Sequence, residues 1–223
     1  MSERFRGKVV IVESVERLLA DRLANSQTCA KMQKPFSAGL KPFFAPLDHV
    51  PAPAINWDGK LTSGLNIYRN TKRAREASGD FLSNKRILVR PVADGCSMFS
   101  SQLCDRAPFW PADDENGELT VQHVAQMRAI SEAQRPRSIL WMVIPNKTTV
   151  YVKPEHSKDF VTAFEAAGLG PDLFSFSQVQ KQKVRDYYFP NDTHLSMHGQ
   201  LAVGQRMLEA VRKILPTAPS KAS

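Results

Sequence analysis

Cysteine is scarce in this 223-residue chain: it occurs only at Cys29, Cys96 and Cys104. No two form a C-x-x-C pair, so a structural zinc site of the usual spacing is not expected, and no other metal or cofactor is called for. Cys96 and Cys104 are placed to bridge in an oxidising compartment, and the odd count leaves at least one thiol free. Long apolar runs are missing as well. No window approaches the ~20 apolar residues of a membrane-spanning helix, so no membrane span is expected. The apolar run nearest the start, Val9 to Val12, is shorter than the ~7–15 residues of a signal-peptide core and ends at Glu13, so no export signal is visible. Internal repeats, zinc fingers, RNA-binding signatures and heptad arrays are all absent. Nucleic acid is therefore not an expected partner.

Positive charge is plentiful. The formal net charge is +8, with a denser patch at Asn70 to Arg75, "NTKRAR". Such a surplus suits acidic partners or makes a solvated basic surface. The hydrophobic fraction of 42% and three Trp indicate a packed core rather than a disordered chain.

Periodicity organises the rest. "KVVIV", residues 8–12, reads as a strand, and "ESVERLLADRLAN" after it has apolar residues at helical spacing. Residues 33–66 are aperiodic, with Pro35, Pro42, Pro46, Pro51 and Pro53 breaking any ladder, and are expected to form an irregular arm or loop packed by Phe36, Phe43, Phe44 and Trp57. Arg86 to Val92 reads as a strand, Pro108 to Glu118 as a surface loop, and "LTVQHVAQMRAISEAQ" as a helix. "SILWMVI", Ser138 to Ile144, has the unbroken apolar character of a strand buried on both faces. Two helices follow, over "KDFVTAFEAAGLG", with Gly168 as its C-terminal cap, and over "GQLAVGQRMLEAVRKIL", which Pro216 stops. Residues 217–223 are expected to be a flexible tail. Strands alternating with helices predict a single α/β domain over 1–223, with a mostly parallel sheet covered by helices on both faces. Chemistry in such sheets gathers at the carboxyl ends of the strands, here Glu13-Ser14, Asp94 to Ser97 and Pro145 to Lys147.

The segment "YYFPNDTHLSMHGQLAVGQRM" sets Asp192 and His194 in an extended turn, where residues i and i+2 point to one side. A carboxylate so placed can fix the tautomer of a histidine acting as a base; a polar turn that happens to hold a histidine is the commoner occurrence of this pattern. His198 lies one helical turn beyond His194, a spacing that binds metals, but only Asp192 is near as a third ligand, so a surface histidine is expected. His49, His123 and His156 have no motif around them. Trp57, Trp110 and the arm phenylalanines can form a carbohydrate platform or pack internally.

Residues 117–215 carry a resemblance. Pro145, Lys147 and Tyr151 match a P-x-K-x-x-x-Y segment at the end of an apolar strand. Tyr187, Tyr188, Asp192, Thr193, His194, Gly199 and Ala202 match a tyrosine-containing D-T-H motif with a Gly/Ala helix behind it. In both respects the chain resembles the SGNH-hydrolase-like domain of polysaccharide O-acetyltransferases of the alginate acetyltransferase type. That resemblance implies a three-layer SGNH or flavodoxin-like fold, Asp192 as orienting acid and His194 as general base. It also implies an extracytoplasmic, periplasmic setting, a carbohydrate or acidic polysaccharide substrate, and polysaccharide-assembly proteins as partners.

The family's G-D-S or G-T-S serine, downstream of D-T-H, has no counterpart here. Other SGNH hydrolases carry the serine upstream, after a strand. The candidate in that position is Ser97, with Gly95 helping to present backbone amides to an oxyanion. Cys96 and Ser14 are rivals. "VVIVESVER" looks like a strand and helix found near the C-terminal end of alginate-type domains, so a permuted domain or a piece of a longer protein is expected. Asn146 corresponds to an oxyanion-binding asparagine of SGNH enzymes, or caps a loop. Lys147 and Tyr151 are expected along an anionic substrate groove, or flank a strand. Two functions follow as expectations: an esterase or O-acyltransferase using Ser97, His194 and Asp192, or a catalytically degenerate domain that binds an acidic polysaccharide or an assembly partner.

Overall fold

The computed structural model describes residues 9–26, 56–84 and 86–215. Cys29, most of the proline-rich arm and the 217–223 tail lie outside them. In chain order the elements are β1 (Val9–Val15), α1 (Glu16–Ser26), α2 (Trp57–Glu76), β2 (Phe81–Asn84), β3 (Ile87–Pro91), α3 (Gly95–Met98), β4 (Arg106–Phe109), α4 (Val121–Ala133), β5 (Ser138–Ile144), α5 (Lys147–Tyr151), α6 (Lys158–Ala166), α7 (Leu173–Lys183) and α8 (Met197–Ile214), with a 3-10 turn at Pro111–Asp113.

The fold is mixed α/β with two small sheets. β1 and β5 pair in parallel, Val9 opposite Ser138 through Val15 opposite Ile144. Side chains alternate across this ribbon, and each face carries its own apolar cluster. Trp141 and Val143 join Leu19, Leu23, Met127, Phe160 and Phe164. Leu140 and Ile144 join Tyr187, Tyr188, Val203 and Met207. The strand at Ser138–Ile144 and its burial on both faces match the sequence expectation.

The strand around Arg86–Val92 does not join that parallel ribbon. β3 lies in an antiparallel sheet of order β2-β3-β4. Its connections explain this: only a short turn separates β2 from β3, and the β3–β4 segment is drawn together by a Cys96–Cys104 disulfide with a Cα–Cα distance of 4.4 Å. Short links favour antiparallel pairing, whereas a parallel neighbour needs a long crossover. Two further corrections concern boundaries. Glu13 to Val15 extend β1 instead of opening α1. The arm expected to be irregular through residue 66 becomes helical at Trp57, because Asn56 caps α2 by accepting the Gly59 amide at 2.8 Å.

The sequence does not announce α7 by periodicity, since its apolar residues lack a clean 3.6 period. Its start is nonetheless written in the sequence: Asp172, after Pro171, accepts the amides of Phe174 and Ser175 at 2.8 and 3.0 Å.

One buried carboxylate ties the carboxyl end of the ribbon together. Glu16, the first residue of α1, is almost fully buried. One of its oxygens accepts the Asn146 amide (2.8 Å) and the Thr149 hydroxyl (2.6 Å), and the other accepts the Ser157 hydroxyl (2.8 Å) and meets His156 Nδ1 at 2.8 Å. The Glu16 hydrogen bond raises the His156 pKa above its usual value, against the pull of burial. The folded protein therefore holds this proton more tightly than the unfolded chain. The stabilisation is complete below the unfolded value of about 6.5 and disappears as pH rises through the folded pKa. Melting curves of the protein and of His156→Gln should consequently differ most at acid pH and converge as pH rises past neutrality. A gap that does not change with pH would contradict this.

Candidate functional site

A cleft of ≈ 380 Å³ opens at the carboxyl ends of β1 and β5. Glu13 and Val15 from β1, Met142 and Ile144 from β5, and Gln200 and Val203 from α8 supply its sides. Arg17, Asn146 and His194 are among its polar groups. This is the end of a parallel ribbon at which chemistry is expected to collect.

The turn that brings His194 there is closed by backbone bonds. Phe189 N donates to His194 O at 3.0 Å, Ser196 N donates to Tyr187 O at 3.1 Å, and Tyr188 and Leu195 form an antiparallel bridge. α8 begins at once, with Ser196 accepting the Gly199 amide at 3.2 Å. Glycine is required at 199 because a Cβ there would stand 2.1 Å from the Tyr187 carbonyl oxygen. Within the turn, Asp192 Oδ1 faces His194 Nδ1 at 2.7 Å and also accepts the amides of Thr193 and His194. Desolvation raises the Asp192 pKa, but the hydrogen bonds from His194 and Thr193 outweigh it and hold the carboxyl below its usual range. The side chains of both residues are largely exposed, 71% for His194 and 53% for Asp192. A pair so exposed adds little to folding. Its geometry matters for chemistry: Nδ1 is engaged by the carboxylate, and Nε2 makes no hydrogen bond among the described residues.

Lys147 anchors this turn from beneath. It is completely buried and does not line the cleft, so it is not the groove residue expected from the sequence. Its ammonium donates to the carbonyls of Pro108 (3.1 Å), Phe189 (2.8 Å) and Asp192 (2.9 Å), using all three protons. The rings of Phe99 and Phe109 lie 5.1 and 5.2 Å from Nζ. Burial lowers the Lys147 pKa to about 7, against the charges of Asp192 and Asp186, which raise it. Tyr151 is also in the core, packed on Phe99 with ring centroids 4.7 Å apart.

Asn146 reaches the cleft floor. Its Oδ1 lies 3.4 Å from the Arg17 amide and 3.5 Å from Arg17 Nη1, and Nη1 also pairs with buried Asp113 at 3.2 Å. Burial pushes the Asp113 pKa up, with Arg17 and Thr148 pulling it back. Arg17 Nη2 and Nε have no hydrogen-bond partner among the described residues. Glu13 belongs to a strand end that the sequence marks for chemistry, whereas Arg17 carries no such mark. The signal for Arg17 is its place in "VVIVESVER", just after a strand whose end forms the cleft.

None of the three candidate nucleophiles lines this cleft. Ser97 is exposed on α3 with its hydroxyl given to the Asp94 carbonyl at 2.7 Å. Gly95 donates its amide to Val92 O, so that amide is not presented to an oxyanion. Gly95 instead lets the chain pass, since a Cβ would meet the Cys104 carbonyl oxygen at 2.1 Å. Cys96 is bonded to Cys104 and offers no thiolate. Ser14 is buried, donates to Val15 O at 3.1 Å, and alternates to the face of β1 opposite Glu13 and Val15. His123 closes a capping box with Thr120 at the start of α4. His198 is exposed, and among the described residues no group of three His, Cys, Asp or Glu is placed to hold a metal ion.

Compared with known proteins, the chain matches no family model, no curated protein and no solved structure.

Lys147→Met should leave the carbonyls of Pro108, Phe189 and Asp192 without their donor and destabilise the protein by about 3 kcal/mol. Denaturant unfolding measures the loss, and amide exchange at Phe189 and Ser196 should quicken as the turn loosens. Unchanged stability with unchanged exchange would show that the ammonium is not the anchor.

Proposed function

We propose that this chain is an SGNH-like esterase or O-acyltransferase domain, three-layered like its sequence resemblance, in which His194 is the general base and Asp192 its orienting acid. One observation carries the reading: the 2.7 Å contact at Nδ1, which leaves Nε2 of a cleft-lining histidine free to take a proton. The hydroxyl that lines up with Nε2 is the acceptor's own, since no serine or cysteine is among the described residues lining the cleft. Nε2 removes the proton from water or from a carbohydrate hydroxyl, and that oxygen attacks the acyl carbonyl. The oxyanion of the tetrahedral intermediate forms within reach of the Arg17 guanidinium and the Asn146 side chain. Collapse breaks the bond to the leaving oxygen, which takes the proton back from His194. Water as acceptor gives hydrolysis, and a sugar hydroxyl gives transfer.

A carbohydrate acceptor, acidic polysaccharide included, follows from the family resemblance together with the net charge of +8. The Cys96–Cys104 disulfide supports an extracytoplasmic setting, where such bonds persist. A second reading, a degenerate domain that binds such a polysaccharide or an assembly partner without turning it over, is favoured by the same lack of a serine among the described residues lining the cleft.

Hydrolysis of p-nitrophenyl acetate tests the first reading. His194→Ala should lower kcat/KM by about 10²–10⁴-fold. Ser97→Ala should leave it unchanged, and a fluorophosphonate should not label the protein. An adduct on Ser97 that is lost in His194→Ala would replace direct attack with an acyl-serine. Activity indifferent to His194→Ala would sink the catalytic reading.

A further inference from the structure

Helix α2 is little covered by the other described residues. Of its twenty residues only Ala74 is buried, and every residue from Lys60 to Asn70 is exposed. Yet it is not a polar helix. Trp57, Leu61, Leu65 and Tyr68 are exposed by 66%, 70%, 48% and 65%. Their spacing places them on one arc of the helix, away from the side that carries Ala74. A helix of this length gains little from propensity alone in water; it is normally stabilised by burying its apolar stripe. Among the described residues nothing covers this one.

The charge on α2 indicates the kind of cover. Five basic residues, Lys60, Arg69, Lys72, Arg73 and Arg75, outnumber Asp58 and Glu76. Arg69 and Arg73 flank the arc on one side and Lys60 on the other, and Lys72 and Arg75 continue it towards the C-terminal end. A second copy of the helix would bring like charges together across the stripe. An anionic bilayer surface satisfies both features at once. The aromatic and leucine side chains enter the boundary between headgroups and acyl chains, and the basic side chains extend along it to the lipid phosphates. Trp57 and Tyr68 are the residue types that settle at that boundary.

We propose that α2 is a membrane-surface helix that docks this protein on anionic lipid, lying in the interface without crossing it. The proposal is independent of the chemistry assigned to the cleft.

Co-sedimentation of the full chain with phosphatidylcholine vesicles, with and without phosphatidylglycerol, tests it. Binding is expected only to the phosphatidylglycerol vesicles, with a blue shift of Trp57 fluorescence that is missing in Trp57→Phe. The double variant Leu61→Asp, Leu65→Asp alters only exposed positions, so it should keep its thermal midpoint while its vesicle affinity falls by tenfold or more, on the order of the apolar burial it gives up. Rising salt should weaken the wild-type interaction. Failure to bind either vesicle, or binding untouched by the double variant, would overturn the proposal. So would binding to poly-glutamate without binding to vesicles, which would assign the helix to an acidic protein groove. A concentration-dependent dimer abolished by the double variant, with no vesicle binding, would assign it to a second copy and overturn it equally.

Discussion

A buried ammonium is the constraint on which the site depends. Taking the charge of Lys147 out of water costs several kcal/mol, and no carboxylate among the described residues is bonded to it in return. Three main-chain carbonyls take its protons instead, and two of them belong to the turn that carries Asp192 and His194. The interior can hold this charge only while those carbonyls converge on it, so the conformation of the turn and the burial of the lysine are set together. The exposed histidine pair, which contributes little stability itself, thereby inherits a fixed backbone.

The neighbours of Lys147 repeat the logic. Asn146 gives its amide to Glu16, Thr149 gives its hydroxyl to the same carboxylate, Thr148 gives its hydroxyl to Asp113, and the Pro145 carbonyl accepts the Tyr188 hydroxyl. Five consecutive residues just past the end of β5, Pro145 to Thr149, thus hold the start of α1, the Pro111–Asp113 turn and the D-T-H turn. The cleft is the space left between these fixed points. An acidic and a basic buried group, Glu16 and Lys147, both act at this strand end, each with its hydrogen-bonding capacity filled.

The parts of this arrangement that were legible in the sequence are those set by local pattern. The apolar run at Ser138–Ile144, the helices at α4, α6 and α8, and the turn that pairs Asp192 with His194 depend on neighbours a few residues away. Contacts between distant residues were not legible. Lys147 reads as a groove cation until the carbonyls of Pro108, Phe189 and Asp192 are seen around it. Ser97 follows a strand and a glycine, as an exposed nucleophile would, but β3 belongs to the antiparallel sheet, so its end does not open on the cleft. Glu16 and His156 lie far apart in sequence, and nothing in either local context announces their contact. The stripe on α2 is hidden in the sequence because Trp57 directly follows a proline-rich stretch.

The tautomer of His194 is the most direct test of the pair at the centre of this site. Long-range ¹H–¹⁵N NMR on the neutral imidazole should find the proton on Nδ1, held by Asp192, with Nε2 bare, and Asp192→Asn should shift the population towards the Nε2–H form that an unconstrained histidine prefers. An Nε2–H imidazole in the unaltered protein, insensitive to Asp192→Asn, would mean that the carboxylate does not orient the base and that no base is poised in the cleft.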